Sequence, residues 1–325
     1  MHTIEQLRAT FEEYLETHPF SGEPRGLYAP MAYVMSMGGK RLRPLLALMS
    51  AQLFGAEVRV ALPLAMAVEV FHNFSLIHDD IMDEAPLRRG KATVHQKYGL
   101  NAGILSGDAM LIYAYEFIRQ VENQEAVPRL VREFNRVAIE VCEGQQYDMD
   151  FEERQDVSIE DYLMMIERKT AALIEGSLVM GAVAAGAPEP DIEKLAVFGR
   201  NIGLAFQLQD DILDTFGDPL KFGKKVGGDI AQNKKTFLIL KALQLARGET
   251  RRKLAAYMSS TPEDEARKIE EVTGILRQLN IQEWAETVKE QKQDVAMNAL
   301  ERIHAPEERK APLRNMSLKL IQRES

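Results

Sequence analysis

The chain has 325 residues and a formal net charge of −9, from 40 Lys+Arg against 49 Asp+Glu. With 46% hydrophobic and 27% charged residues it has a globular balance, and its net acidity argues against a broad nucleic-acid-binding surface. The one cysteine, Cys142, can form neither an intrachain disulfide nor a Cys-based zinc site, which suits a reducing compartment and a cytoplasmic protein.

In chain order, Leu7, Phe11, Tyr14 and Leu15 mark a first amphipathic helix ending near Pro19. Glu5, Glu12, Glu13 and Glu16 lie where a signal peptide would carry a basic start and an apolar core. Between Pro44 and Asp80 apolar residues are too dense for a surface helix, and the density returns at 171–187 and 202–213, as in helices inside a large bundle. The two longest uncharged stretches, 44–56 and 176–188, have 13 residues each, short of the roughly 20 of a membrane-spanning helix. No alternating β-branched run appears, and Gly and Pro cluster at joints near 22–30, 85–90, 187–190, 217–228 and 259–262. From about Arg247 charges become frequent and the only Trp, Trp284, appears. The expectation is an all-α, single-domain helical bundle over 1–325, with 247–325 a peripheral helical cap of the same domain.

Two carboxylate clusters stand out, Asp79-Asp80-Ile81-Met82-Asp83 and Asp210-Asp211-Ile212-Leu213-Asp214, each closing an apolar stretch. Residues four apart share a helix face, so Asp79 pairs with Asp83 and Asp210 with Asp214, and such carboxylates repel unless a cation lies between them. One cluster alone would read as a solvated acidic turn; two copies about 130 residues apart point to metal. Carboxylate oxygens without His or Cys suit Mg²⁺, which completes its octahedron with water and phosphate. Cations for a diphosphate are at hand: Gly38-Gly39-Lys40-Arg41-Leu42-Arg43, then Arg88-Arg89-Gly90, Lys169-Thr170, Lys224 and Asn233-Lys234-Lys235-Thr236. His72, seven residues before Asp79, faces the same side of a helix. Gln207, Asp211 and Asp214 form one stripe, where an amide dipole can meet positive charge without capturing it.

Together these residues resemble the all-trans isoprenyl diphosphate synthases, over about 38–236: GGKRLRP, Glu69-x-x-His72, the first aspartate motif, Arg88-Arg89-Gly90-x-x-Thr93-x-His95, Lys169-Thr170, and FQLQDDILD as the second motif. The resemblance implies a helical bundle around a deep central cavity, paired as a homodimer, without stable membrane insertion. It implies that Gly39, Lys40, Arg43 and His72 hold the diphosphate of isopentenyl diphosphate, with Arg89 closing on it. It further implies about three Mg²⁺ bound or supported by Asp79, Asp80, Asp83, Asp210, Asp211 and Asp214. Arg88, Lys169, Lys224 and Lys234 would contact the allylic diphosphate, and Thr170 and Gln207 would stabilise the allylic cation. Two departures are visible: Asn233-Lys234-Lys235-Thr236 replaces the usual Gly-Lys-x-Thr, and the basic C-terminal tail is reduced to Ile321-Gln322-Arg323-Glu324-Ser325.

In the family a bulky residue five places before the first motif limits chain length. Here it is Phe74, with Phe71 one turn earlier and Ser75 beside it, which resembles an enzyme making a 20-carbon product, geranylgeranyl diphosphate, or else the 15-carbon farnesyl diphosphate. An ideal helical wheel places Phe74 about 140° from Asp79, so core packing is the competing reading of both phenylalanines. A class I terpene cyclase would carry a different second motif and need no second-substrate cations. A non-catalytic partner subunit would have lost an aspartate motif.

Overall fold

The computed structural model describes residues 1–218, 226–259 and 264–321. The described chain is helical apart from one two-stranded hairpin, and it divides into two compact units. Unit 1 comprises Met1–Arg136, Gly176–Ala196 and Ile303–Leu313; unit 2 comprises Val137–Glu175, Val197–Arg302 and Arg314–Ser325.

Unit 1 opens with α1 (Ile4–Thr17), whose start is fixed by a capping box between Thr3 and Gln6. Next, α2 (Arg25–Met35) begins inside the expected joint at 22–30, because Pro24 fits the N-cap position; Pro30 lies within the helix. Then α3 (Leu42–Leu53) and α4 (Val58–Met82) follow, buried on nearly every side as their apolar density predicts. Leu64, Ala65, Met66, Ala67 and Val68 are all fully buried, so α4 is a central element. By length and composition α4 could cross a membrane, and 67% of its most apolar window is buried inside the protein. The joint after α4 is a hairpin, β1 (Leu87–Arg88) and β2 (Lys91–Ala92), whose two-residue turn Arg89-Gly90 has φ of 52° and 75°. After α5 (Val94–Tyr98) comes α6 (Leu100–Arg119), which packs along α4.

Helices α7 (Val127–Glu153), α9 (Ala172–Ala184) and α10 (Glu189–Phe216) contribute residues to both units. Within unit 1, α9 lies so close to α3 that a Cβ at Gly181 would come 2.3 Å from the Ala47 carbonyl oxygen. In unit 2, α8 (Ile159–Ile166) starts at a Ser158/Asp161 capping box and runs into a π turn, Glu167–Ala171. The unit 2 core joins Leu204, Leu208 and Ile212 of α10 with Leu238, Leu254, Val272, Leu276 and Ile281 from later helices.

Candidate active site

The first aspartate motif ends α4. Asp83 is its C-cap and its N–H donates to the Asp79 carbonyl at 2.8 Å, so the four-residue spacing of the two carboxylates survives the helix end. Asp80 points the other way and is buried. The Arg88 fork takes both its oxygens, Nε to Oδ2 at 2.8 Å and Nη2 to Oδ1 at 2.7 Å, and Arg88 Nη2 stands 3.9 Å from Asp79. Arg41, the left-handed N-cap of α3, pairs at 2.5 Å with Glu69, the carboxylate buried in the middle of α4. Arg43 lies 3.1 Å from His72 Nε2, and its own Nε is buried without a hydrogen-bond partner. Arg89 donates to the Gly38 carbonyl, and its guanidinium lies against Gly39, whose φ of 136° favours glycine.

These cations crowd one another. Burial, with Arg89 adding repulsion and Glu69 opposing, brings the Arg43 guanidinium down to about 10. Burial and then Arg43, Arg89, Arg88 and Arg41 hold the His72 imidazolium well below its ordinary value of 6.5, so at neutral pH His72 is an uncharged ring. A buried orphan donor among guanidiniums is a ready site for phosphate oxygens.

Unit 2 has the opposite character. A recess of about 100 Å³ is lined by Asp148, Tyr162, Lys169, Thr170, Gln207, Asp211, Asp229 and Lys234 among others. Asp211, buried in α10, accepts from Tyr162 Oη on Oδ2 and from Gln207 Nε2 on Oδ1 at 3.1 Å; Thr170 Oγ1 donates to Gln207 Oε1 at 3.1 Å. Lys169 pairs with Asp148 at 2.5 Å. The Asp229 N–H donates to Asp214 Oδ2 at 3.0 Å. Burial, with Asp229 and Asp214 nearby, pushes the Asp211 carboxyl well up; burial, Asp214 and Asp148 raise Asp229 to about 6 against the pull of Lys234 and Lys169. Lys235, also at the recess, donates to the carbonyls of Phe151 at 2.5 Å and Glu152 at 3.0 Å, closing the end of α7.

The π turn is what presents Lys169 and Thr170. Two glycines hold it: a Cβ at Gly144 on α7 would meet the Lys169 backbone nitrogen at 2.2 Å, and one at Gly203 on α10 would meet Ala171 at 2.5 Å. Arg200 adds a clamp, 2.8 Å from Glu175 and 3.5 Å from Glu167. An extra residue in a helix, pressed between two bare backbones, is a device met at functional sites.

Unit 1 therefore gathers Gly39, Lys40, Arg43, His72, Asp79, Asp80, Asp83, Arg88 and Arg89, and unit 2 gathers Lys169, Thr170, Gln207, Asp210, Asp211, Asp214 and Lys234. Lys224, and the tail beyond Ile321, lie outside the described residues. Among the described residues no three His, Cys or carboxylate side chains form a cation cage by themselves. Phe71 and Phe74 are both buried; Phe74 packs between Phe71 (5.5 Å between ring centroids) and His78 (4.8 Å), and Phe71 continues onto Phe134 (5.2 Å). Sequence reasoning left Arg41, Asp148, Tyr162 and Asp229 without roles. Glu69, read only as part of Glu69-x-x-His72, is a lone acid in an apolar helix, the signal that points to a buried cation such as Arg41, whereas no spacing rule marks Tyr162.

The family model for polyprenyl synthetases matches residues 24–276. The chain is 42% identical over 235 residues to the geranylgeranyl diphosphate synthase of Sulfolobus acidocaldarius, covering 71% of each chain. It is 38% identical over 288 residues to the short chain isoprenyl diphosphate synthase of Methanothermobacter thermautotrophicus, covering 89% of this chain and 88% of that one. Among solved structures, a geranylgeranyl pyrophosphate synthase superposes over 100% of both chains with a TM-score of 0.95 at 46% identity. An all-helical fold with these sites is that of a prenyltransferase. The chain belongs to the polyprenyl synthetase family.

Proposed function

We propose that this chain condenses isopentenyl diphosphate with an allylic prenyl diphosphate head-to-tail (1′-4), in a Mg²⁺-dependent reaction that yields geranylgeranyl diphosphate, with farnesyl diphosphate the next candidate. The observation that carries the reading is the Arg43/His72/Arg89 cluster with its orphan Arg43 Nε, which supports a site for a second diphosphate that a cyclase would not need. The relatives' names support the product class.

The carboxylates suit Mg²⁺: they are hard oxygen donors, and in unit 2 burial, reinforced by neighbouring carboxylates, raises Asp211 and Asp229. Asp79, Asp83, Asp210 and Asp214 would hold it, with Asp80 and Asp211 in support. Bound there, Mg²⁺ supplies neutralisation of charge on the leaving diphosphate. Lys169 and Lys234 add positive charge on the same group, and Lys224 joins them by resemblance. As the allylic C1–O bond breaks, the oxygens of Thr170 and Gln207 face the cation with lone pairs rather than with a nucleophile. The double bond of isopentenyl diphosphate, held by Arg43, Lys40, His72 and Arg89, then attacks C1. The departing diphosphate accepts the proton lost from C2, leaving a new trans double bond. Phe74, backed by Phe71 and flanked by Ser75, would stop the growing chain. Four exposed aliphatic side chains on α6, Leu100, Ile104, Leu105 and Ile112, support pairing with a second copy.

Product chromatography tests the reading: purified protein, Mg²⁺ and isopentenyl diphosphate with the 5-, 10- and 15-carbon allylic primers in turn. A single 20-carbon product is expected, and longer products from Phe74→Ala. Absence of condensation with every primer would overturn the proposal, and an unaltered profile in Phe74→Ala would return that ring to core packing.

A further inference from the structure

The polar chain at the second aspartate motif has a sense of direction, and Tyr162 stands at its end. A carboxylate accepts hydrogen bonds and an amide offers a different group at each end. Asp211 accepts from Tyr162 on one oxygen and from Gln207 Nε2 on the other at 3.1 Å, an arrangement that turns Gln207 Oε1 toward Thr170. Thr170 then spends its only proton on Oε1, at 3.1 Å, and keeps its lone pairs for the recess. Were Gln207 reversed, its NH₂ would face Thr170 and the hydroxyl proton could turn toward the recess, where it would repel positive charge. Tyr162, 2% exposed, donates to the remaining Asp211 oxygen, so both oxygens of this buried carboxylate are committed to protein donors. The phenol fixes the carboxylate from the side opposite Gln207 without bringing a charge of its own.

We infer that Tyr162 is a positioning residue that acts through Asp211 to orient the Gln207 amide and the Thr170 hydroxyl, setting them to receive an allylic cation. The inference rests on the condensation proposed above. It makes Asp211 the support of this chain, leaving Asp210 and Asp214 as the motif's outward carboxylates.

Tyr162→Phe keeps the ring and removes the donor. Its kcat is expected to fall roughly tenfold, with KM for both substrates within about twofold and the melting temperature a few degrees lower, since one buried Asp211 oxygen loses its donor. Three further measurements separate orientation from packing. Combined with Gln207→Leu, the loss should not multiply, since both substitutions break the same chain. Calorimetry should show weaker binding of an aliphatic ammonium analogue of the allylic chain, given with inorganic pyrophosphate, while a thio-linked allylic diphosphate, whose chain carries no positive charge, binds as to wild type. Asp211→Asn, whose amide lets Gln207 turn round, should reproduce the kcat-selective loss and serves if Tyr162→Phe folds poorly. Wild-type kcat in Tyr162→Phe would overturn the inference, as would losses that multiply with Gln207→Leu or weaken both analogues alike. A wild-type protein that condenses no primer overturns the proposed function and this inference with it.

Discussion

The two aspartate motifs share a spacing and differ in how each holds its middle carboxylate. Asp80 is neutralised by a guanidinium fork, in a region where cations outnumber acids and repel one another. Asp211 is held by a phenol and an amide, in a region where carboxylates lie together and push one another up. In both, the outer pair stays on the less buried face while the central aspartate turns inward. The lesson is that a repeated D-D-x-x-D has two kinds of surroundings: a charge-paired support set among cations that, on the proposed function, would hold diphosphate, and a dipolar support tied to groups that would meet a carbocation.

The sharpest way to test that division is to remove an outer carboxylate from each motif. Asp79→Ala and Asp210→Ala should each lower turnover by roughly 1,000-fold with the melting transition unmoved, measured by diphosphate release; near-wild-type turnover in either would deny that motif its role. Removing a support separates the motifs. Arg88→Met leaves Asp80 buried without its fork and should destabilise the protein by about 2 kcal/mol in urea unfolding, whereas Tyr162→Phe, which takes a neutral donor from one Asp211 oxygen, should cost about 1 kcal/mol. The smallest effect is one of pH. Folded His72 gives up its proton far more readily than the unfolded ring, so its contribution to stability is present above about 6.5 and is lost as pH falls below that value. His72→Gln should flatten the fall, and inorganic pyrophosphate should reduce it by offsetting the surrounding guanidiniums; denaturant midpoints between pH 7.5 and 5.5 are the measurement.

Much of this was legible from periodicity. The nearly all-apolar stretch before Asp79 became α4, and the spacing in both motifs survived as helix faces, because side-chain direction follows from the helix itself. The Gly and Pro joints were legible in place but not in extent: Pro24 and Pro30 sit at and inside α2, and Arg89-Gly90 makes a hairpin that no alternating pattern announced. The partners of Asp211 were hidden for a physical reason. Tyr162 lies 49 positions away, its ring reads as core, and only tertiary packing reveals that its hydroxyl is spoken for. Asp148 and Asp229 were likewise single acids on ordinary polar faces until the fold set them beside Lys169 and Asp214.

The π turn between Glu167 and Ala171 carries an evolutionary consequence. It holds one residue more than an α-helix would seat there, so loss of a single codon would let the chain run on as regular helix without breaking it. Because the turn itself takes up the extra residue, such a deletion would leave the flanking helices on their present faces and redirect only the side chains within the turn, taking Thr170 away from Gln207. The proposed activity thus hangs on one inserted residue: an ancestor lacking that codon would have had the same bundle, the same core and both aspartate motifs, without the hydrogen bond between Thr170 and Gln207.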